Sequence, residues 1–191
     1  TDIDDKTIRR SREEYHDMAP LDALRTSTRI YTDLFMDDMK AIGNDVDALT
    51  FIRATDDATI EGMRQLITNL YDQGFAYIAD DGVYFSIEAY QKSGKTYGQL
   101  VEINAENTSA SRIANDEYDK ESFHDFALWN VENSVEPAWY FNVGGKTLRG
   151  RPGWHIECSV MSQQGLGVPF DIHTGGIDLA FPHHENEIAQ S

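Results

Sequence analysis

Cysteine, proline and lysine are all scarce in this chain. One cysteine in 191 residues, Cys158, excludes an internal disulfide. It argues against a small stapled secreted scaffold and makes a reducing compartment the default. Five prolines, with no Gly-X-Y period and no low-complexity tract, exclude collagen-like or repetitive classes. No run approaches the length of an apolar membrane span, and no basic-then-apolar leader opens the chain. Positive charge is short too: 16 Lys and Arg stand against 33 Asp and Glu, a formal net charge of −17. A chain this acidic repels nucleic acid except where its basic residues cluster, because phosphate contacts need Lys and Arg. The surface should be strongly hydrated. A sharper expectation is adaptation to high salt, where screening relieves self-repulsion.

What is present is ordinary for a globular domain: 40% apolar and 26% charged residues, and enough length to bury a real core. Thr1 is not an initiator Met, and His183 to Ser191 reads as a helix broken off in mid-course. The chain therefore reads as a piece of a longer one.

Periodicity and punctuation predict the elements. Asp5 caps a helix over Thr7–Met18, and Pro20 opens a second in the first turn, where its missing N–H is harmless. Leu21, Leu24, Thr28, Tyr31, Leu34, Phe35 and Met39 recur there at helical spacing, and Gly43-Asn44 ends it. A third helix runs over Asp57–Gln73, with Ile60, Met63, Leu66, Ile67, Leu70 and Tyr71 on one face and Gly74 as its stop. Residues 75–79 and 83–87, joined through Asp80-Asp81-Gly82, read as a β-hairpin whose Asp-Gly pair supplies positive φ angles. Residues 88–122 read as irregular, with Asn104–Ser111 an exposed loop. Phe126–Trp129 reads as a strand. Gly144, Gly145, Gly150, Pro152 and Gly153 mark a loop carrying Lys146, Arg149 and Arg151. Beyond it come a helix over Trp154–Leu166, a short buried strand Phe170–His173, a Gly175-Gly176 turn and a final helix opened by Pro182.

The chemistry concentrates at the C-terminal end. The last 40 residues hold no Lys or Arg, five acids, the single Cys and four of the six His. A cluster of Cys, His and Glu with no nearby positive charge suits a cation. His183 and Glu187 are four apart on a helix and share a face, and Cys158 lies on another helix. Thiolate, imidazole and carboxylate together fit zinc, which normally takes four ligands. His184 points elsewhere, and His173, Asp178 or a residue outside the chain could supply the fourth. The plainer alternative is a small core cysteine beside a structural His pair. Gly175-Gly176-Ile177-Asp178 is a second candidate, because bare backbone lets a ligand approach and a carboxylate grips ribose hydroxyls. Asp2, Asp4 and Asp5 read as a capped, solvated helix start.

Four stretches carry a family resemblance. Gly150-Arg-Pro-Gly-Trp-His-Ile-Glu-Cys-Ser-Val-Met161 and Phe170-Asp-Ile-His-Thr-Gly-Gly-Ile-Asp-Leu-Ala-Phe-Pro-His-His-Glu-Asn-Glu-Ile-Ala-Gln-Ser191 closely resemble signatures of cysteinyl-tRNA synthetases. Thr1-Asp-Ile-Asp-Asp-Lys6 and Asp125-Phe-Ala-Leu-Trp129 resemble two more, in the same order. The resemblance implies an α/β fold, part of a class I synthetase Rossmann-like catalytic domain with a mainly helical connecting insertion that carries a β-hairpin. Residues 1–18 would be a catalytic-domain segment, 19–149 the insertion and linker, and 150–191 the second part of the nucleotide-binding domain. It implies a cytoplasmic, monomeric ligase that needs no membrane. That enzyme uses ATP with Mg2+ to activate cysteine as its adenylate and then charges tRNA(Cys). The family's zinc ligands fall on Cys158, His183 and Glu187, with the remaining ligand, a cysteine, preceding Thr1. Its amino-acid pocket falls on Thr1, Trp154 and His173, and its ribose contacts on Gly176 and Asp178. No residue here is implied as catalytic in the strict sense, since the family's HIGH and KMSKS motifs are both absent, and these 191 residues alone are expected to be inactive. Asn130 stands where the family usually has lysine, and Tyr140-Phe141-Asn142 departs from its Ser-Pro-Trp-type stretch. Two rivals differ in consequence: a cysteine:glucosaminyl-inositol ligase of mycothiol synthesis, and a non-catalytic zinc-binding module derived from a synthetase.

Overall fold

The computed structural model describes residues 1–100, 112–113, 124–132 and 136–191. The predicted Asn104–Ser111 loop lies outside them. Helix α1 spans Asp5–Glu14 and α2 Pro20–Ala41, with Pro20 in the first turn as expected. Asp4, not Asp5, caps α1. Its carboxylate accepts the Thr7 N–H at 2.6 Å, while the Thr7 hydroxyl accepts the Asp4 N–H at 2.8 Å. Asp5 is released to pair with Arg151. The helix stops short of Met18 because the chain must turn before α2 folds back on α1. The N-terminal half of α2 buries Ala23, Leu24, Ser27 and Thr28, whereas Tyr31, Leu34 and Phe35, further along its apolar stripe, stay exposed. Helix α3, Asp57–Asp72, buries Ile60, Met63, Ile67 and Leu70 as its spacing predicts.

The hairpin is real: β1, Ala76–Ile78, pairs antiparallel with β2, Gly82–Phe85. Its glycine serves a different purpose from the one expected. Gly82 does not adopt positive φ. A Cβ there would lie 2.3 Å from the carbonyl oxygen of Trp129, so the residue is bare to let β2 approach its neighbour. A short helix α4, Ile87–Lys92, replaces the irregular start predicted after residue 88. Ser86 caps it by accepting the Ala89 N–H.

Strand β3, Arg112–Ile113, pairs parallel with β4, Asp125–Val131. The stretch predicted as a glycine-rich loop is instead a hairpin, β5 Trp139–Val143 and β6 Lys146–Pro152. Gly144 and Gly145 make its turn. Gly150 and Gly153 are close-approach positions rather than loop markers: a Cβ at either would sit 2.0 Å from a carbonyl oxygen of β4. The main sheet order is β1-β2-β4-β6-β5, with these neighbours antiparallel. Helix α5, Trp154–Leu166, follows β6 directly and packs against β4 and α3. The core between sheet and helices is aromatic: Trp129, Tyr84, Phe85, Phe126 and Phe141 are fully buried, and Phe85 stacks on Phe126 at 4.9 Å.

Phe170–His173 is not a buried strand. It is irregular, and Ile172 is 76% exposed. A strand buried on both faces needs hydrogen-bonding neighbours, and no described strand lies beside it. Gly175-Gly176 makes no turn, and Gly176 is extended; a tight turn over Ile177–Leu179 and one wide turn over Ala180–His184 then lead into α6, Glu185–Gln190. Phe181 keeps extended angles, so helical backbone begins at Pro182, as expected. No helix among the described residues is long and apolar enough to cross a membrane.

Candidate metal centre

Two helical segments build the site. Helix α5 leaves β6 through Gly153 and carries Trp154, His155 and Cys158 in its first turns. The helical segment from Pro182 through α6 presents His183 and Glu187 four residues apart, on the face that meets α5. One donor atom each from Cys158, His183 and Glu187 lies within 4.8 Å of the other two. These are the three residues chosen from spacing and chemistry.

The electrostatics favour a cation. Glu187 Oε1 is buried, lies 2.7 Å from His183 Nε2, and is not aligned with it as a hydrogen bond. The Cys158 thiol also acts on this carboxylate as a hydrogen-bond partner, and a cation would take the place of the thiol proton. Two lone-pair donors aimed at one point provide its place. Burial, then the charges of Glu187 and Glu157, push the Cys158 thiol up to about 12. The same charges that keep the thiol protonated would attract a metal ion, which displaces that proton. Sulfur, nitrogen and oxygen donors in one cluster match zinc better than a hard cation such as magnesium.

Outer contacts hold the donors in place. His183 Nδ1 lies 2.9 Å from Nδ1 of His155, a fully buried ring. Burial, then His183, keeps the His155 pKa well below its ordinary value, so His155 is neutral. An Nδ1-protonated His183 donates to it and leaves Nε2 free for a metal. The Trp154 ring stacks on His183 at 4.3 Å. His173 does not join the donor cluster. Its Nε2 is 2.8 Å from Glu187 Oε2 and so braces that carboxylate from the other side. His184 turns away towards His173, as expected. Asp178 is also outside the cluster, exposed beside Gly176, where a Cβ would strike its carboxylate at 2.4 Å. Thr1 lies outside the donor cluster: its hydroxyl donates to the Ile3 carbonyl, and it lines a separate cavity of about 320 Å³ with Met161 of α5. The cluster at Asp2, Asp4 and Asp5 is structural: Asp2 accepts from the Thr55 amide and hydroxyl, and the other two act as described above.

Three residues of the site carry no signal in the spacing of the sequence. His155 adjoins Trp154 with nothing in the sequence to separate it from a core histidine. Gln190 donates its Nε2 to the Ser159 hydroxyl and the His155 carbonyl, and so ties α6 to α5. Glu185 reads in sequence as one more surface acid, yet it is 1% exposed.

The helices and sheet thus form a mixed α/β domain that gathers thiol, imidazole and carboxylate from its C-terminal helices into a candidate metal centre. Residues 1–191 match the family model described as the class I (C) tRNA synthetase catalytic domain, and the chain belongs to that family. It is 45% identical over 191 residues to a cysteine–tRNA ligase of Synechococcus elongatus, covering 100% of this chain and 37% of that protein. It is 44% identical over 194 residues to that of Methanococcus vannielii, with 100% and 37% covered, and 46% identical over 198 residues to that of Halorhodospira halophila, with 100% and 38% covered. The chain thus spans little more than a third of the length of these relatives.

Proposed function

We propose that this chain belongs to a cysteine–tRNA ligase that activates cysteine with ATP and Mg2+ and passes it to tRNA(Cys), and that Cys158, His183 and Glu187 hold the zinc ion that selects the substrate. The observation that carries this is the convergence of those three donors on one point, with Cys158 25 residues before His183 and 29 before Glu187 in sequence. The names of the relatives favour a tRNA substrate over an amino sugar, and an enzyme over a bare zinc module.

When bound, the ion supplies a soft Lewis acid that takes a thiol as thiolate, which serine offers poorly and alanine not at all. The chain's own residues prepare for it. His155 fixes the His183 tautomer, and His173 restrains Glu187. Trp154 walls the site beside His183 and, with Thr1 and His173, forms the amino-acid pocket. Gly176 leaves bare backbone and Asp178 an exposed carboxylate for the ribose. The remaining ligand is a cysteine preceding Thr1. The division at residues 18 and 149, the cytoplasmic location and the monomeric state belong to the same proposal.

The test uses the full-length protein and its Cys158→Ser variant. Zinc content and cysteine-dependent ATP–pyrophosphate exchange are both measured. Zinc near one per chain is expected in the parent. In the variant we expect loss of the metal and at least a hundredfold fall in kcat/KM for cysteine, since losing even a partner just outside the ligand shell brings about 10–100-fold. A variant that keeps stoichiometric zinc and full discrimination against serine would overturn the assignment.

A further inference from the structure

Glu185 and Asn186 lie between the two metal-ligand candidates in sequence and on other faces of the same helix. Both are 1% exposed. The Glu185 carboxylate has no cation partner among the described residues. It is held by three consecutive backbone amides: Gly98 donates to Oε1 at 2.8 Å, and Gln99 and Leu100 donate to Oε2 at 2.9 and 3.0 Å. The Tyr97 hydroxyl donates to the Asn186 side-chain oxygen. Gly98 has φ +91°, the left-handed conformation that turns successive N–H groups towards one centre and makes an anion nest. The anion in this nest is the protein's own carboxylate.

The energetics separate this arrangement from ordinary packing. Burying a carboxylate costs far more than burying an apolar side chain, unless strong directional bonds offset it. If the position only filled space, a leucine would serve. What a carboxylate adds is direction. Helix α6 has only six residues, too few to be held by its own hydrogen bonding. Gln190 ties it to α5 on one side, and Glu185 anchors it to Tyr97–Leu100 on the other. A small rotation of so short a helix would carry Glu187 away from His183 and Cys158. The same clamp sets Leu100 into the wall of a cavity of about 380 Å³, beside His173, His184, Glu187 and Ile188.

We propose that Glu185 is a positioning residue for the metal centre: clamped in the Gly98–Leu100 nest, it fixes the helical register that brings His183 and Glu187 onto Cys158. The proposal rests on the zinc reading above. It is tested in the full-length protein with Glu185→Gln, which puts an amide NH2 among the N–H donors, and with Gly98→Ala, which strains the nest and leaves Glu185 untouched. The zinc dissociation constant, from chelator competition, and the KM values for cysteine and for ATP are measured. Both variants should bind zinc about tenfold or more weakly, the usual scale for a partner just outside the ligand shell. KM for cysteine should rise by a similar factor while KM for ATP stays within twofold. The double variant should be little worse than the more impaired single variant. Zinc affinity within twofold of the parent, or KM values for both substrates rising together, would overturn the proposal. If Glu185→Gln does not fold, Gly98→Ala carries the same test alone. Cys158→Ser separates the two failures. If that variant keeps zinc, the metal assignment itself falls. If it loses zinc while the Glu185 and Gly98 variants keep theirs, only the positioning role falls.

Discussion

At the residue scale, what the sequence exposed and what it hid follow from reach. His183 and Glu187 were legible because an i, i+4 pair meets on one face of any helix, whatever surrounds it. Cys158 was legible as the single soft donor in a stretch without cations. His155 and Glu185 were not, because their roles depend on partners 28 and at least 85 residues away. Glycines show the same divide. Gly150 and Gly153 looked like loop punctuation, but each is bare because another strand's backbone passes its α-carbon. At Gly153 an added Cβ would meet the Ala127 carbonyl oxygen at 2.0 Å and its carbon at 2.8 Å, both backbone atoms that cannot swing aside. The Gly153 N–H also donates to the Leu128 carbonyl, which locks the entry to α5. Gly153→Ala should therefore destabilise the full-length protein by about 3 kcal/mol, the upper end for overpacking, visible as a lowered melting temperature. Melting together with the parent would show that β4 can yield.

At the element scale, periodicity identified α2, α3 and the β1–β2 hairpin, because each has a pattern with a buried side. It missed β6, whose Lys-Thr-Leu-Arg-Gly-Arg-Pro run has no apolar alternation and is held by backbone pairing to β4 and β5. It misjudged Phe170–His173, because an apolar run becomes a strand only when a neighbour offers hydrogen bonds. Ion pairs between elements were equally invisible. Arg151, near the end of β6, bridges Asp5 at the start of α1, at 2.5 Å, and Glu132 just after β4, at 2.9 Å. Burial raises the Glu132 carboxyl above its ordinary pKa, and the Arg151 charge only partly opposes this. The folded state thus holds that proton more tightly than the unfolded chain does. The contribution of Glu132 is most favourable below the unfolded value of about 4.3, and it is lost as pH rises through the raised folded value. Glu132→Gln has no such loss. Between pH 4 and pH 7 its melting temperature should move upward relative to the parent's. A constant difference, or one moving in the parent's favour, would mean that the Arg151 pair outweighs burial.

At the scale of the whole molecule, charge is the property the sequence stated most directly and the fold changed least. The described arginines that form ion pairs, Arg10, Arg12, Arg25, Arg64 and Arg151, are already matched to acids, and Lys92 is matched to Glu88. Pairing of this kind uses up positive charge and leaves the net −17 spread over the remaining surface. The outer face of α2 concentrates it: Asp33, Asp37 and Asp38 are exposed there, next to Ile30, Leu34 and Phe35, which are also exposed. Like charges within a helical turn or two repel across less than a Debye length in dilute buffer, about 10 Å at 0.1 M, and are screened when it falls to about 3 Å at 1 M. Surface ion pairs weaken under the same screening, but exposed pairs contribute little, typically under about 1 kcal/mol each. The excess of acids should decide the sign. The melting temperature of the full-length protein should rise between 0.1 M and 1 M KCl, and neutralising Asp33, Asp37 and Asp38 together to Asn should reduce that rise. A melting temperature that stays flat or falls with KCl would show that self-repulsion is not what limits this fold, and that its acidity does no more than keep the surface hydrated.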